Sequence, residues 1–409
     1  MTADIAIVGA GFAGLSAARR LLQIDPGLRV ALLEAGQVAE GPAGRNSGFM
    51  IDLPHDLSSD SYTGQTVAAD LTQTRLNRCA IGFAADAARE YQLESGAFDP
   101  CGKINAAATE KGDQHNRDYA AHLDTLGEPH EWLDAQAMEE LTGTRYYSTG
   151  LFTPGTAMLQ PAAYIQGLAQ GLRGAIGLYE NSAVLAMTQQ GTEWLLESEN
   201  GSVSAQKVVL ATNGHAESFG FFKRRLVHVF TYASMTGPLP AGSLGGRPGW
   251  GVTPADPMGT TVRRIPSPQG ERVVVRSRFT YNPSMAVSDA AVARAGQIHD
   301  RKFAERFPTL KGLAMQYRWA GHLCLTWNGV AAHGEIQPGL FSACCQNGLG
   351  TAKGTLAGIS AADLALGQPG DISRELLAQD PPKRLPPEPL AWIGANATLR
   401  WKEWRAGRE

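Results

Sequence analysis

At 409 residues the chain exceeds the usual length of one domain, so two intertwined domains are expected. A formal net charge of −3, with no block of like charges, leaves no electrostatic footprint for nucleic acid and points to small-molecule partners. Five cysteines without metal-type spacing indicate neither a disulfide framework nor a zinc site, so reduced thiols and no bound metal are expected.

The chain opens on Ile5-Ala6-Ile7-Val8, then Gly9-Ala10-Gly11-Phe12-Ala13-Gly14, then the helix-like Leu15 to Leu22. This is strand, glycine turn, helix. Gly9 permits the tight turn, Gly11 lets the backbone approach a pyrophosphate, Gly14 lets helix and strand pack closely, and the first turn at Phe12 and Ala13 offers free N–H groups to phosphates. A second strand, Arg29 to Leu33, ends in Glu34-Ala35, where an acidic side chain can bind ribose hydroxyls. Together these predict a dinucleotide-binding unit. No apolar run reaches the ~18 residues of a membrane helix. The glycine motif begins too early to leave room for a signal peptide, so a cytoplasmic protein without an integral membrane segment is expected.

The loop Gly41 to Phe49 contains Arg45-Asn46-Ser47-Gly48, and on its own it reads as a surface turn or as a close backbone approach to something flat or charged. With the glycine turn and the strand-terminal Glu34, it resembles the D-amino-acid oxidase superfamily of FAD-dependent oxidoreductases. The resemblance implies that Arg45, Asn46, Ser47 and Gly48 lie beside the flavin. It also implies an α/β fold, in which a Rossmann-type FAD-binding domain is interleaved with a substrate domain on a mostly antiparallel sheet.

Further along, Leu71 to Glu94 is helical, Phe98 to Ala108 turns β-like, and 110–142 reads as charged surface helices whose histidines lack metal spacing. Pro161 opens an amphipathic helix. Strands follow at Ala183 to Met187, Glu193 to Glu197 and Lys207 to Gly214. By resemblance, the first brings Val184 to the adenine and the last ends in a bend, Ala211-Thr212-Asn213-Gly214, that closes over the cofactor. Leu226 to Leu239 alternates as a strand, with His228 where the family usually carries Pro. In Arg272 to Phe279, alternation puts Arg276 and Arg278 on one face, with Arg276 read as surface.

A helix at Ser288 to Phe307 precedes Gln316 to Asn328, where Trp319 and Gly321 match the family's return strand. Cys324 stands one residue from the position at which sarcosine oxidases attach their flavin. A one-residue slip turns a strand side chain to the other face, so noncovalent FAD is expected. Near the C-terminus, Leu340 to Cys345 runs into Gln346-Asn347-Gly348-Leu349-Gly350 and a helix from Thr351, a closing motif whose dipole suits the pyrimidine edge of a flavin. The tail is proline-rich and ends in a basic helix with two Trp.

The expected partition is 1–85, 155–222 and 319–370 for FAD binding, 86–154 and 223–318 for substrate, and 371–409 as a tail. The resemblance implies oxidation of the C–N bond of an amine or amino acid, with O2 as acceptor. Two alternatives stay open, a dehydrogenase serving a quinone or protein, and a flavin-binding protein without turnover. For substrate contacts the sequence offers Arg278 as a carboxylate clamp, Trp319 and His322, with Tyr281 and Trp327 as further aromatic walls.

Overall fold

The computed structural model describes residues 1–54, 66–240 and 242–407. Among these, the strands form two sheets of eight and one of three. The first sheet runs in the order Ala186–Gln190, Glu193–Ser198, Gly201–Leu210, Thr2–Val8, Val30–Leu33, Gly177–Tyr179. Leu340–Cys344 pairs in parallel with the C-terminal half of Gly201–Leu210, whose N-terminal half pairs with the Glu193–Ser198 hairpin on the same edge. The long strand therefore serves two neighbours on one side.

Burial on both faces explains why these strands read as unbroken apolar runs. Ile5, Ile7, Leu32 and Val209 pack beneath the helices Phe12–Ile24 and Gly350–Ala365, while Ala6, Val8, Leu33, Val208 and Leu210 join a separate core on the opposite face.

The second sheet is mostly antiparallel, in the order Tyr317–Thr326, Leu226–Met235, Gly270–Tyr281, Thr261–Ser267, Trp250–Pro254, Lys103–Ala107, Thr149–Thr153, Glu131–Leu133. Its first two strands are in continuous register, which sets His322 opposite Phe230 and Cys324 opposite His228.

Two expected boundaries are corrected. A single helix, Val67–Glu90, runs through position 85 and packs against Gly350–Ala365, so the first crossing comes later. The strand Tyr317–Thr326 lies wholly in the second sheet, because all ten of its residues pair with Leu226–Met235, so the return to the first sheet begins after Thr326 and not at 319. The tail folds back as the helix Leu390–Ala406 along Gly270–Tyr281.

Candidate active site

Four parallel strands end at one edge of the first sheet, at Val8, Leu33, Leu210 and Cys344. Ligands of open α/β sheets bind in the crevice beyond such carboxyl ends. Gly9 turns the chain there with φ of +104°, and a Cβ on it would lie 2.8 Å from the carbonyl oxygen of Ala211. A Cβ on Gly14 would lie 1.8 Å from the oxygen of Gly9, so helix and turn touch backbone to backbone. Gly11 differs, since a Cβ on it would meet only the Cβ of Ala43, at 3.5 Å, beside the cavity floor.

A cavity of about 640 Å³ runs from this turn to the second sheet. Of the residues expected at the cofactor, it is lined by Gly9, Gly11, Phe12 and Ala13; Glu34 and Ala35; Arg45, Asn46 and Ser47; Val184; Ala211 and Thr212; and Gly348, Gly350 and Thr351. His322 lies on the same wall.

The fit to a dinucleotide flavin rests on the donors at this wall. Neither Phe12–Ile24 nor Gly350–Ala365 has a side-chain cap, so the N–H groups of both first turns are left for a ligand, at the positive ends of two helix dipoles. The Glu34 carboxylate accepts from Ala10 N–H at 2.7 Å and from Gly36 N–H at 3.3 Å, which braces the glycine turn while the side chain faces the cavity.

Five expected cofactor residues do not line the cavity. Gly14 packs on the turn, and Gly48 makes room for the Arg263 guanidinium and the oxygen of Leu159. Leu349 is buried against Phe49, Ile51 and Met158. Asn347, at φ of +50°, accepts from Thr326 N–H at 2.8 Å and donates to the Val330 oxygen at 2.8 Å, tying the closing turn to the second sheet. Gly214 leaves space for two histidine rings: a Cβ there would stand 2.6 Å from His322 Cε1 and 2.9 Å from His228 Nδ1.

The carboxylate clamp is corrected. The ladder between Leu226–Met235 and Gly270–Tyr281 shifts register at Thr231/Tyr232, leaving Arg278 as the extra residue of a bulge with φ of +66°. The bulge interrupts the alternation from which a shared face was read, and Arg276 lies over the ring of Phe279 at 5.2 Å. Arg278 does not line the cavity and pairs with Glu403 of the C-terminal helix at 2.8 Å, while Glu403 also accepts from Phe279 N–H at 2.6 Å. The other aromatic walls move too. Tyr281 donates to Glu388 at 2.9 Å, and Trp327 is 66 % exposed. Trp319 does not line the cavity but donates from Nε1 to the oxygen of Arg45 at 2.8 Å, fastening the loop that does.

Sequence reasoning missed much of the roofed end, where Phe230, Met285, Ala320, His215 and Gln346 join His322 and Cys324. It also missed a polar chain behind it. His322 Nε2 lies 3.2 Å from His228 Nδ1, and His228 Nε2 lies 2.7 Å from Glu217 Oε2. The departure at His228 was the available signal. Burial, with the neighbouring His228 and His215, pushes His322 down to about 3, so its imidazole is neutral. For Glu217, burial works to raise the carboxyl, but the hydrogen bonds from His228 and from Arg224 N–H prevail and hold it below the usual range. The hydrogen bond with Cys345, then burial, pushes the Cys324 thiol well up.

No helix among the described residues is long and apolar enough to cross a membrane. The sequence matches the family described as DAO, FAD dependent oxidoreductase, over residues 4–364. It is 26 % identical over 401 residues to Probable oxidoreductase OrdL of Rhizobium meliloti, covering 92 % of this chain and 86 % of that one. It is 23 % identical over 384 residues to gamma-glutamylputrescine oxidoreductase of Escherichia coli, with 90 % and 84 % covered. The fold superposes on glycine oxidase from Geobacillus kaustophilus with a TM-score of 0.75 at 20 % identity, over 94 % of this chain and all of that one. The chain therefore belongs to the DAO family and is an FAD-dependent oxidoreductase.

Proposed function

We propose that the chain oxidises the C–N bond of a small amine or amino acid and that O2 is the final acceptor. The carrying observation is that one cavity joins the nucleotide-binding edge of the first sheet to a wall of the second sheet containing His322, Phe230, Ala320 and Met285. Bound FAD supplies the hard step by taking a hydride from the carbon that bears nitrogen, and water then hydrolyses the imine released. The glycine turn and the uncapped helix Phe12–Ile24 would hold the pyrophosphate, Glu34 the ribose, and Ala183 and Val184 the adenine end, a reading supported by their place on the cavity wall. Gly348, the N-terminus of Gly350–Ala365, Arg45, Asn46 and Ser47 would hold the flavin ring, a reading supported by the same lining.

The names of two similar proteins, gamma-glutamylputrescine oxidoreductase and glycine oxidase, support an amine or amino-acid donor. Because Arg278 is engaged by Glu403, a substrate carboxylate is not required, and amines without a carboxylate stand level with amino acids. Attachment of flavin by cysteine needs a thiolate, and Cys324 is held as a buried thiol, which supports noncovalent FAD. The test is anaerobic mixing with a panel of amines and amino acids, followed by air. Bleaching and rapid recovery of the flavin spectrum is the expected result. Bleaching without recovery in air makes the protein a dehydrogenase, and no bleaching with any donor overturns amine oxidation.

A further inference from the structure

Three titratable side chains run in line from the cavity wall toward solvent, and hydride transfer itself employs none of them. His322 faces the cavity, its Nε2 meets His228 Nδ1 at 3.2 Å, and His228 Nε2 meets Glu217 Oε2 at 2.7 Å. Both histidines are buried, whereas the Glu217 side chain is 25 % exposed. The two imidazoles stack with centroids 5.3 Å apart, and the other neighbours of His322 are the ring of Phe230 at 5.1 Å and His215, edge-on, at 5.8 Å. Only glycine at position 214 lets both rings lie against that turn. The remaining titratable or charged groups near the chain are Cys324 on the cavity wall with Cys345 bonded behind it, and Lys223, Arg224 and Tyr281 around Glu217. His322 Nδ1 has no hydrogen-bond partner among the described residues.

This arrangement answers a need of the proposed reaction, and the inference rests on that reading. A small amine, like a lysine side chain with a pKa of about 10, arrives protonated at neutral pH, and its carbon releases hydride only once the nitrogen has a lone pair to give. We infer that His322, His228 and Glu217 form the exit for that proton. His322 Nδ1 accepts the ammonium proton as Nε2–H passes to His228 Nδ1. His228 keeps its own Nε2–H on Glu217 and becomes an imidazolium paired with that carboxylate. One proton leaves the substrate and one positive charge appears at His228, with no other bond made or broken. His228 then passes its Nε2 proton to Glu217, which releases it at its exposed edge; both rings are left as Nδ1–H tautomers, and a flip of each ring restores Nε2–H for the next turnover. His322 touches the substrate, and His228 and Glu217 act through it.

The experiment is anaerobic stopped-flow reduction of the holoenzyme at saturating amine between pH 6 and 10, with Glu217→Gln and His228→Asn beside the wild type. FAD content is fixed from the visible spectrum. Wild-type reduction should stay nearly level from pH 7 to 10. Each variant should be slower by about a thousandfold at pH 7 and should gain about tenfold per pH unit until it nears wild type at pH 10, where the amine sheds its own proton. Long-range 1H–15N spectra of 15N-histidine protein, with or without FAD, should show neutral Nε2–H tautomers at both His228 and His322, and Glu217→Gln should shift the His228 pair. Profiles of the same shape in all three proteins, or an unmoved His228 signal, overturn the exit. Failure of any amine to reduce the wild type even at pH 10, where no exit is needed, overturns amine oxidation instead.

Discussion

Two glycines of one turn should fail in opposite ways. Gly14→Ala drives a methyl to 1.8 Å from the Gly9 oxygen, so the helix and turn must separate by about 1.2 Å to reach 3.0 Å, the nearest approach that side-chain carbons make. Both sides of that contact are backbone, and overpacking of this kind costs about 3 kcal/mol. Alanine inside the helix Phe12–Ile24 returns about 1 kcal/mol of propensity, leaving a net loss of about 2 kcal/mol. Gly11→Val faces no such clash, because its Cβ meets only Ala43 at ordinary contact distance. Its further methyls enter the space reserved for the pyrophosphate.

Urea unfolding of the apoprotein, followed by tryptophan fluorescence, and FAD titration by quenching of flavin emission separate the two. Gly14→Ala should lower the apoprotein midpoint and weaken FAD binding together. Gly11→Val should unfold like wild type yet purify colourless. A Gly14→Ala protein as stable as wild type, or a Gly11→Val protein holding stoichiometric FAD, would refute the assignment of roles.

Trichloroacetic acid should release FAD into the supernatant, and Cys324→Ser should bind FAD unchanged; yellow colour remaining with the wild-type pellet but not with the variant would establish the thioether. Arg278→Ala should change kcat/KM less than threefold while freeing the C-terminal helix to limited proteolysis, since a partly exposed pair contributes under about 1 kcal/mol; a hundredfold loss of kcat/KM would restore the clamp. Burial lowers His299 to about 4 from 6.5, so the unfolded chain binds more protons between those values. The contribution of His299 should therefore be full above pH 6.5 and be lost as the pH approaches 4, read as a shrinking urea midpoint whose slope His299→Gln makes shallower, with His322 and His333 keeping their own share.

The glycine turn, Glu34 and the closing motif were legible because each is local. A strand end, a turn and a helix start must be consecutive, and their residues announce the backbone they need. The roofed end was not legible, because its wall is composed across strands that pair at a distance of ninety residues. His322 was identified, but neither the register that sets it opposite Phe230 nor its stacking on His228 is written in either segment alone. Arg278 shows the sharper failure. Strict alternation fails at the bulge, and Arg278, the inserted residue, pairs with the C-terminal helix, where the tail supplies its acid. Cys345, at φ of +58° with its N–H donated to Asn213 of the cavity wall, carried no sequence sign of the strain that functional turns store.

The double pairing of Gly201–Leu210 bears on how the protein is made. Residues 202–205 bond to the hairpin just before them, but residues 208–210 must wait for Leu340–Cys344, more than a hundred positions later. Loop closures of that span are slow, and five of the eight strands of the second sheet lie between them. A nascent chain can therefore shape the glycine turn early without holding FAD, because Gly348, Gly350 and Thr351 have not arrived. Cofactor capture falls at the end of synthesis, after the second sheet has folded, so a ribosome stalled before residue 340 carries a colourless chain.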